Sequence, residues 1–183
     1  MSHSQHTILN TKDVYITSPY KNRYMMHVVL ENPTVNISNI INFKLIELLY
    51  EINKHDIIEK MDIQYITWTE ACVYIEFYHF FKDLGIPKRG VFLKLNYESE
   101  SLFAYTIQGK SIPKQEKDHV SIIDIININI TGKPSTFHEV QCTINIEGTH
   151  SIPLAIEPLI ANIIKKMVIR LKKSIYSLST LDC

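Results

Sequence analysis

The sequence predicts an α+β fold: a single antiparallel β-sheet covered on one face by an N-terminal helix and a long C-terminal amphipathic helix. Three observations predict it. Residues 121–147 hold two strand-like stretches with a short break between them, an apolar stripe at helical spacing follows from Pro158, and strand signals elsewhere outnumber helical ones. With 183 residues, 45% of them hydrophobic, the chain can bury one sizeable core. The expectation is a flexible N-terminal arm over 1–22 and a single α+β domain over 23–183.

Residues 1–22 are polar, with only Val14-Tyr15-Ile16 suggesting a short strand. His3 and His6 fall short of a metal site's usual ligand count, so no metal is expected. Tyr24 to Leu30 (YMMHVVL) suits a strand buried on both sides, and Pro33 ends it because proline cannot donate to a ladder. Ser38 is the expected N-cap of a helix running to about Lys54. Its Ile41, Leu45, Leu48, Leu49 and Ile52 trace one face, with Lys44, Glu47 and Glu51 on the other.

Ile63–Trp68 and Ala71–Phe81 are rich in β-branched and aromatic residues, with Thr69-Glu70 as a tight turn. In the second, Val73, Ile75, Phe77, His79 and Phe81 share a face, which makes His79 a core histidine. Alternation sends Glu76 to solvent. Residues 82–90 form a loop, then Val91–Tyr97 and Leu102–Gln108 are strands around Glu98-Ser99-Glu100-Ser101. Residues 109–118 are polar and lysine-rich, a long loop of the kind that makes contacts.

Ser121–Thr131 (SIIDIININIT) and Phe137–Glu147 (FHEVQCTINIE) flank Gly132-Lys133-Pro134, credible turn chemistry for an antiparallel hairpin. Val140, Cys142, Ile144 and Ile146 point one way; Glu139, Gln141, Thr143, Asn145 and Glu147 point the other. Asp124 sits among isoleucines, where a bulge, an edge position or a pocket would account for it. The last helix begins near Pro158. Leu159, Ile160, Ile163, Ile164, Met167, Val168, Leu171 and Ile175 make its apolar stripe. Leu48, Val140, Ile144, Ile163, Met167 and Leu171 are the expected core. Lys165, Lys166, Arg170, Lys172 and Lys173 gather on the helix's remaining surface. That face solvates the helix and is also the candidate membrane- or partner-binding site.

Several function classes are excluded. Nineteen basic and nineteen acidic residues cancel, so the chain is not a polycation built to neutralise phosphates, and sequence-specific nucleic-acid binding is not expected. There is no Gly-rich phosphate loop, GxSxG or HExxH, and only five glycines to build a backbone cradle. Cys72, Cys142 and Cys183 form no CxxC pair. Tyr65, Tyr74, Tyr78, Tyr97 and Tyr105 all fall in the expected strands, where packing explains them better than base stacking. No catalytic residue and no cofactor is assigned; the chain reads as non-enzymatic. The opening MSHSQHTILNTKD has no basic-then-apolar leader, and no apolar run reaches membrane-spanning length, so a cytoplasmic location is expected.

Two resemblances follow. The stretch HVVLENPTVNISNIINFKLIELLYEINKHDIIEKMDIQYITW resembles the strand-helix-strand opening of rhabdovirus matrix proteins, and VSIIDIININITGKPSTFHEVQCTINIEG their late strands. The small plant cytorhabdovirus matrix proteins are the nearest in texture. That resemblance implies a structural protein, peripheral to membrane in the cytoplasm and present in the virion. Its partners would be itself, the viral nucleoprotein and ribonucleoprotein, the envelope glycoprotein tail and an anionic membrane surface, acting in assembly and budding. This chain lacks a long basic arm and a PPxY-type budding motif. The second resemblance is architectural: the element order, ending in SIPLAIEPLIANIIKKMVIRLKK, resembles the helix-grip fold of START and Bet v 1-like lipid-binding proteins. It implies a lipid- or small-hydrophobe-binding protein whose last helix closes a cavity over the sheet. The matrix reading is the expectation, with the lipid-binding module as its alternative. A large apolar cavity beneath the last helix would favour lipid carriage, and a filled core the scaffold.

Overall fold

A computed structural model describes residues 6–106, 120–150 and 152–178. The elements in chain order are β1 (His6–Asn10), β2 (Val14–Tyr20), β3 (Arg23–Glu31), α1 (Phe43–Asn53), β4 (Ile58–Tyr65), β5 (Glu70–Phe77), a short 3-10 turn (Lys82–Leu84), β6 (Lys88–Glu98), β7 (Ser101–Thr106), β8 (Val120–Ile122), β9 (Ile125–Thr136), β10 (Glu139–Gly148) and α2 (Glu157–Tyr176). The strands form one sheet in the order β1-β2-β3-β10-β9-β7-β6-β5-β4. All these pairings are antiparallel; β8 alone pairs in parallel, with the start of β6. The α+β class and both helices are as expected.

The expected arm is a correction. Residues 6–20 are strands β1 and β2, paired to each other and to β3. Val14 and Ile16 fall opposite Val28 and Met26 on the inner face, and their burial holds the segment in the sheet.

The registers fix which side chains share that inner face. Tyr24, Met26, Val28 and Leu30 of β3 stand opposite Ile146, Ile144, Cys142 and Val140 of β10. Ile128 and Ile130 of β9 continue the rows to Ala104 and Leu102 of β7. Leu93, Leu95, Val73 and Ala71 extend them through β6 and β5. Cys142 is buried, which pushes its thiol up to about 12, so it is an inert core residue.

The β9–β10 turn is another correction. β9 runs straight through Gly132-Lys133-Pro134, and the chain reverses at Phe137-His138. Gly132 is small for a different reason: Ile41 Cγ1 would lie 2.5 Å from a Cβ there. Helix α1 is capped by Asn42, whose side chain accepts the Lys44 amide at 2.8 Å, not by Ser38. β5 ends at Phe77, leaving His79 exposed beyond it with its Nε2 2.7 Å from the Ile86 carbonyl oxygen, rather than in the core.

Glu76 is half-buried on the outer face. Burial alone would raise its carboxyl, but hydrogen bonds from Lys88 and Tyr74 outweigh it and hold it low. The expected loop over 109–118 lies outside the described residues.

Candidate functional site

Helix α2 makes its main contacts with β1, β2, β3 and α1. Its two halves sit differently. In the C-terminal half Val168, Leu171 and Ile175 are buried against Val14, Val28, Leu30 and Val140 in a filled core. In the N-terminal half Ile160, Ile163, Ile164 and Met167 are only half-buried. By helical spacing they lie on the side of α2 that carries Arg170, which bonds Asp56 just past the end of α1. Ile128, Ile144 and Ile146 on the inner face of β9 and β10 are half-buried as well. These half-buried side chains make an incompletely covered apolar strip, the trough. The expected burial of Leu48, Ile144, Ile163 and Met167 is therefore partial, while Val140 and Leu171 are buried.

A small polar cluster closes the trough at the start of α2. The Tyr24 hydroxyl donates to Glu157 Oε1 at 3.2 Å and accepts the Ile152 amide at 3.2 Å. Glu157 is buried at the helix N-terminus, where a carboxylate suits the dipole, and His6 Nε2 lies 3.6 Å from its Oε2. Burial pushes the Tyr24 phenol up, and the neighbouring Glu157 carboxylate adds to this. Because Tyr24 shares a row with Ile146 and Ile128, this cluster borders the trough. Such an arrangement suits a ligand with an apolar body and one hydrogen-bonding head.

The five expected site cations divide. Lys166 and Arg170 both bond Asp56, the guanidinium as a fork with Nη2 at 2.8 Å from Oδ2. Lys172 holds Asp13 at 3.0 Å. These hydrogen bonds keep both carboxyls below their ordinary range. Three of the five thus clasp α2 to the α1–β4 and β1–β2 connections. Lys165, Lys166, Arg170 and Lys173 still line a shallow groove of about 310 Å³ with Asn162 and Ile169 on the solvent side of α2. A second groove, of about 190 Å³, lies beside the β1–β2 turn and includes Tyr15 and His27 of the outer face. Neither opens beneath α2. Among the described residues no group of His, Cys, Asp and Glu is placed to hold a metal.

No family model matches the sequence, and no curated protein matches it. Solved structures do. The human StarD13 (DLC2) lipid transfer and protein localization domain matches with a TM-score of 0.70 at 10% identity, over 96% of this chain and 90% of that one. The fold is the helix-grip fold. Human StAR-related lipid transfer protein 5 matches with a TM-score of 0.61 at 13% identity, covering 93% of this chain and 86% of that one. A STAR-related lipid transfer protein from Xanthomonas axonopodis gives 0.59 at 12%, covering 94% and 97%. These likenesses favour the helix-grip reading over the matrix resemblance, which draws no support from them.

Sequence reasoning placed the helix and the inner-face isoleucines but missed Tyr24, Glu157 and Asp56. Glu157 carried a signal, a carboxylate just before Pro158 at a helix start. Asp56 carried none, because its partners are more than a hundred residues away along the chain.

Proposed function

We propose that this protein is a non-enzymatic helix-grip protein that binds a lipid or another small hydrophobe in the trough beneath the N-terminal half of α2. The observation that carries the reading is the run of half-buried isoleucines on the inner face, Ile128, Ile144 and Ile146, on a fold shared with lipid transfer domains. Apolar side chains left half-wet on one face of a sheet gain free energy when an acyl or ring system covers them, by about 25 cal/mol per Å². The Tyr24 hydroxyl already donates to Glu157 Oε1, so Glu157 Oε2 is the acceptor left to meet a donor on the head of such a ligand. The test is lipid retention. Full-length protein incubated with phosphatidylcholine vesicles and re-isolated in high salt should carry about one lipid per chain by mass spectrometry, and Ile144→Asp should carry none while keeping its helical and sheet circular dichroism. Protein recovered free of lipid under these conditions would overturn the reading.

A further inference from the structure

The strongest exposed apolar feature lies away from the trough, at the tip of the β4–β5 hairpin. Residues 65–69, Tyr-Ile-Thr-Trp-Thr, carry no charge. Trp68, the chain's one tryptophan, is 84% exposed, Ile66 52% and Tyr65 50%. Soluble surfaces tolerate single apolar residues, but three bulky ones on one tight turn mark a contact site.

Most amides of this tip are paired within the protein. The Ile66 and Thr67 amides donate to the Glu70 carbonyl at 2.9 and 3.0 Å. The Thr69 and Glu70 amides donate to Thr67 Oγ1 at 3.2 and 3.0 Å, and the Thr69 carbonyl accepts the Tyr97 amide at 2.8 Å. The flanking carboxylates are occupied too: Glu47 accepts the Tyr65 hydroxyl, and Glu70 pairs with Lys94 at 3.3 Å. With four of its amides paired and no charge on it, the segment gives up few hydrogen bonds on reaching the partly hydrated bilayer interface, where the Trp68 amide and the outer carbonyls stay wet. Its shape matters as well. The turn presents Ile66 and Trp68 outward, with Tyr65 resting beside Phe43 of α1, and such a shape fits a deformable layer without a matching pocket. Trp and Tyr favour the headgroup level, where the indole N–H stays hydrated while the ring sits among acyl carbons.

We infer that the β4–β5 hairpin tip, with Trp68 and Ile66 as its anchors, is a membrane-contact element that docks into the interface of a neutral, zwitterionic bilayer. This is independent of what the trough holds: the tip would dock whether or not the protein carries a lipid. Electrostatics plays little part, so docking persists as salt rises, in contrast to a contact made through the cationic groove of α2.

Trp68 makes the experiment direct, since all tryptophan emission reports this tip. With phosphatidylcholine vesicles in high salt, emission of the full-length protein should shift to the blue and be quenched by brominated acyl chains. Ile66→Ser should keep the tryptophan yet reduce the shift, and Ile66→Ser/Trp68→Ser should weaken vesicle flotation about tenfold or more, as expected for losing two apolar anchors. An unchanged melting temperature would show both variants folded. Unaltered emission would overturn the inference. So would flotation that survives the double variant but is lost on charge reversal at Lys165, Lys166 and Lys173, or a blue shift that grows with protein concentration in the absence of vesicles, which would mark a second copy as the occupant.

Discussion

The two halves of α2 have similar apolar content and very different attachment. The C-terminal half is fixed from three sides. Asn32 donates to the carbonyls of Ile175 at 2.6 Å and Leu178 at 3.0 Å, Arg170 holds Asp56, and Lys172 holds Asp13. The N-terminal half begins at Ile156, which offers no side-chain cap, and is held by the Tyr24–Glu157 pair above a half-covered sheet. One helix is thus clasped and fully packed at one end and only half-covered along one side at the other. The free energy holding it is concentrated where the polar clasps and the filled core coincide.

That contrast is most directly broken by truncation. Ile175 is fully buried. Ile175→Ala should cost about 2–5 kcal/mol in urea denaturation, whereas Ile163→Ala should cost less than about 1 kcal/mol, because a half-exposed side chain forfeits little transfer energy and leaves no closed cavity. Equal costs would erase the distinction between the halves.

Asn32 sharpens it. Its side chain also accepts the Thr34 and Val35 amides at 2.8 and 2.7 Å, so one buried residue ties the end of β3 to the end of α2. Asn32→Ala strands those groups and should destabilise by about 1–3 kcal/mol. By hydrogen exchange, it should release amides of residues 171–178 before those of β6.

The smallest effect is the pH dependence of the clasp. Asp56 has a folded pKa below its unfolded value of about 3.9, so in acid the unfolded chain binds more protons. The clasp's contribution is complete above that value and fades as pH falls through it toward the folded pKa. Asp56→Asn should flatten the stability profile below about pH 4. The difference should stay within about 1 kcal/mol, since the carboxylate remains partly exposed to screening solvent. An identical acid slope in both proteins would show that Asp56 does not contribute.

What was legible in the sequence followed periodicity. β10 and α2 announced themselves through alternation or helical spacing, because one face of each meets the core, whereas the apolar run of β3 suggested burial on both sides although His27 and Val29 are exposed on its outer face. The misreadings came from residues whose signals have two physical causes. Gly132 and Pro134 suggested a turn. Yet Gly132 admits Ile41, and Pro134 sits opposite Val140 beside a register shift, where a missing amide is tolerated. The strands β1 and β2 looked like an arm because their polar content is high, and the partner that fixes them is β3, not their own pattern. His79 continued the β5 alternation on paper, but the strand had already ended. The trough was not legible at all: spacing tells which side of α2 is apolar, and cannot tell how far the sheet lies beneath it.

The strand order has a consequence for how the chain is made. β3 pairs with β10, and about a hundred residues separate the end of one from the start of the other. At synthesis rates of about 5–20 residues per second, β3 waits roughly 5–20 s on the ribosome before its second neighbour exists. During that interval Met26, Val28 and Leu30 have no helix over them and one open backbone edge. The nascent protein therefore passes through a stage in which its three-stranded N-terminal sheet is a template without its native partner. β10 and α2 emerge last, and they end that exposure together.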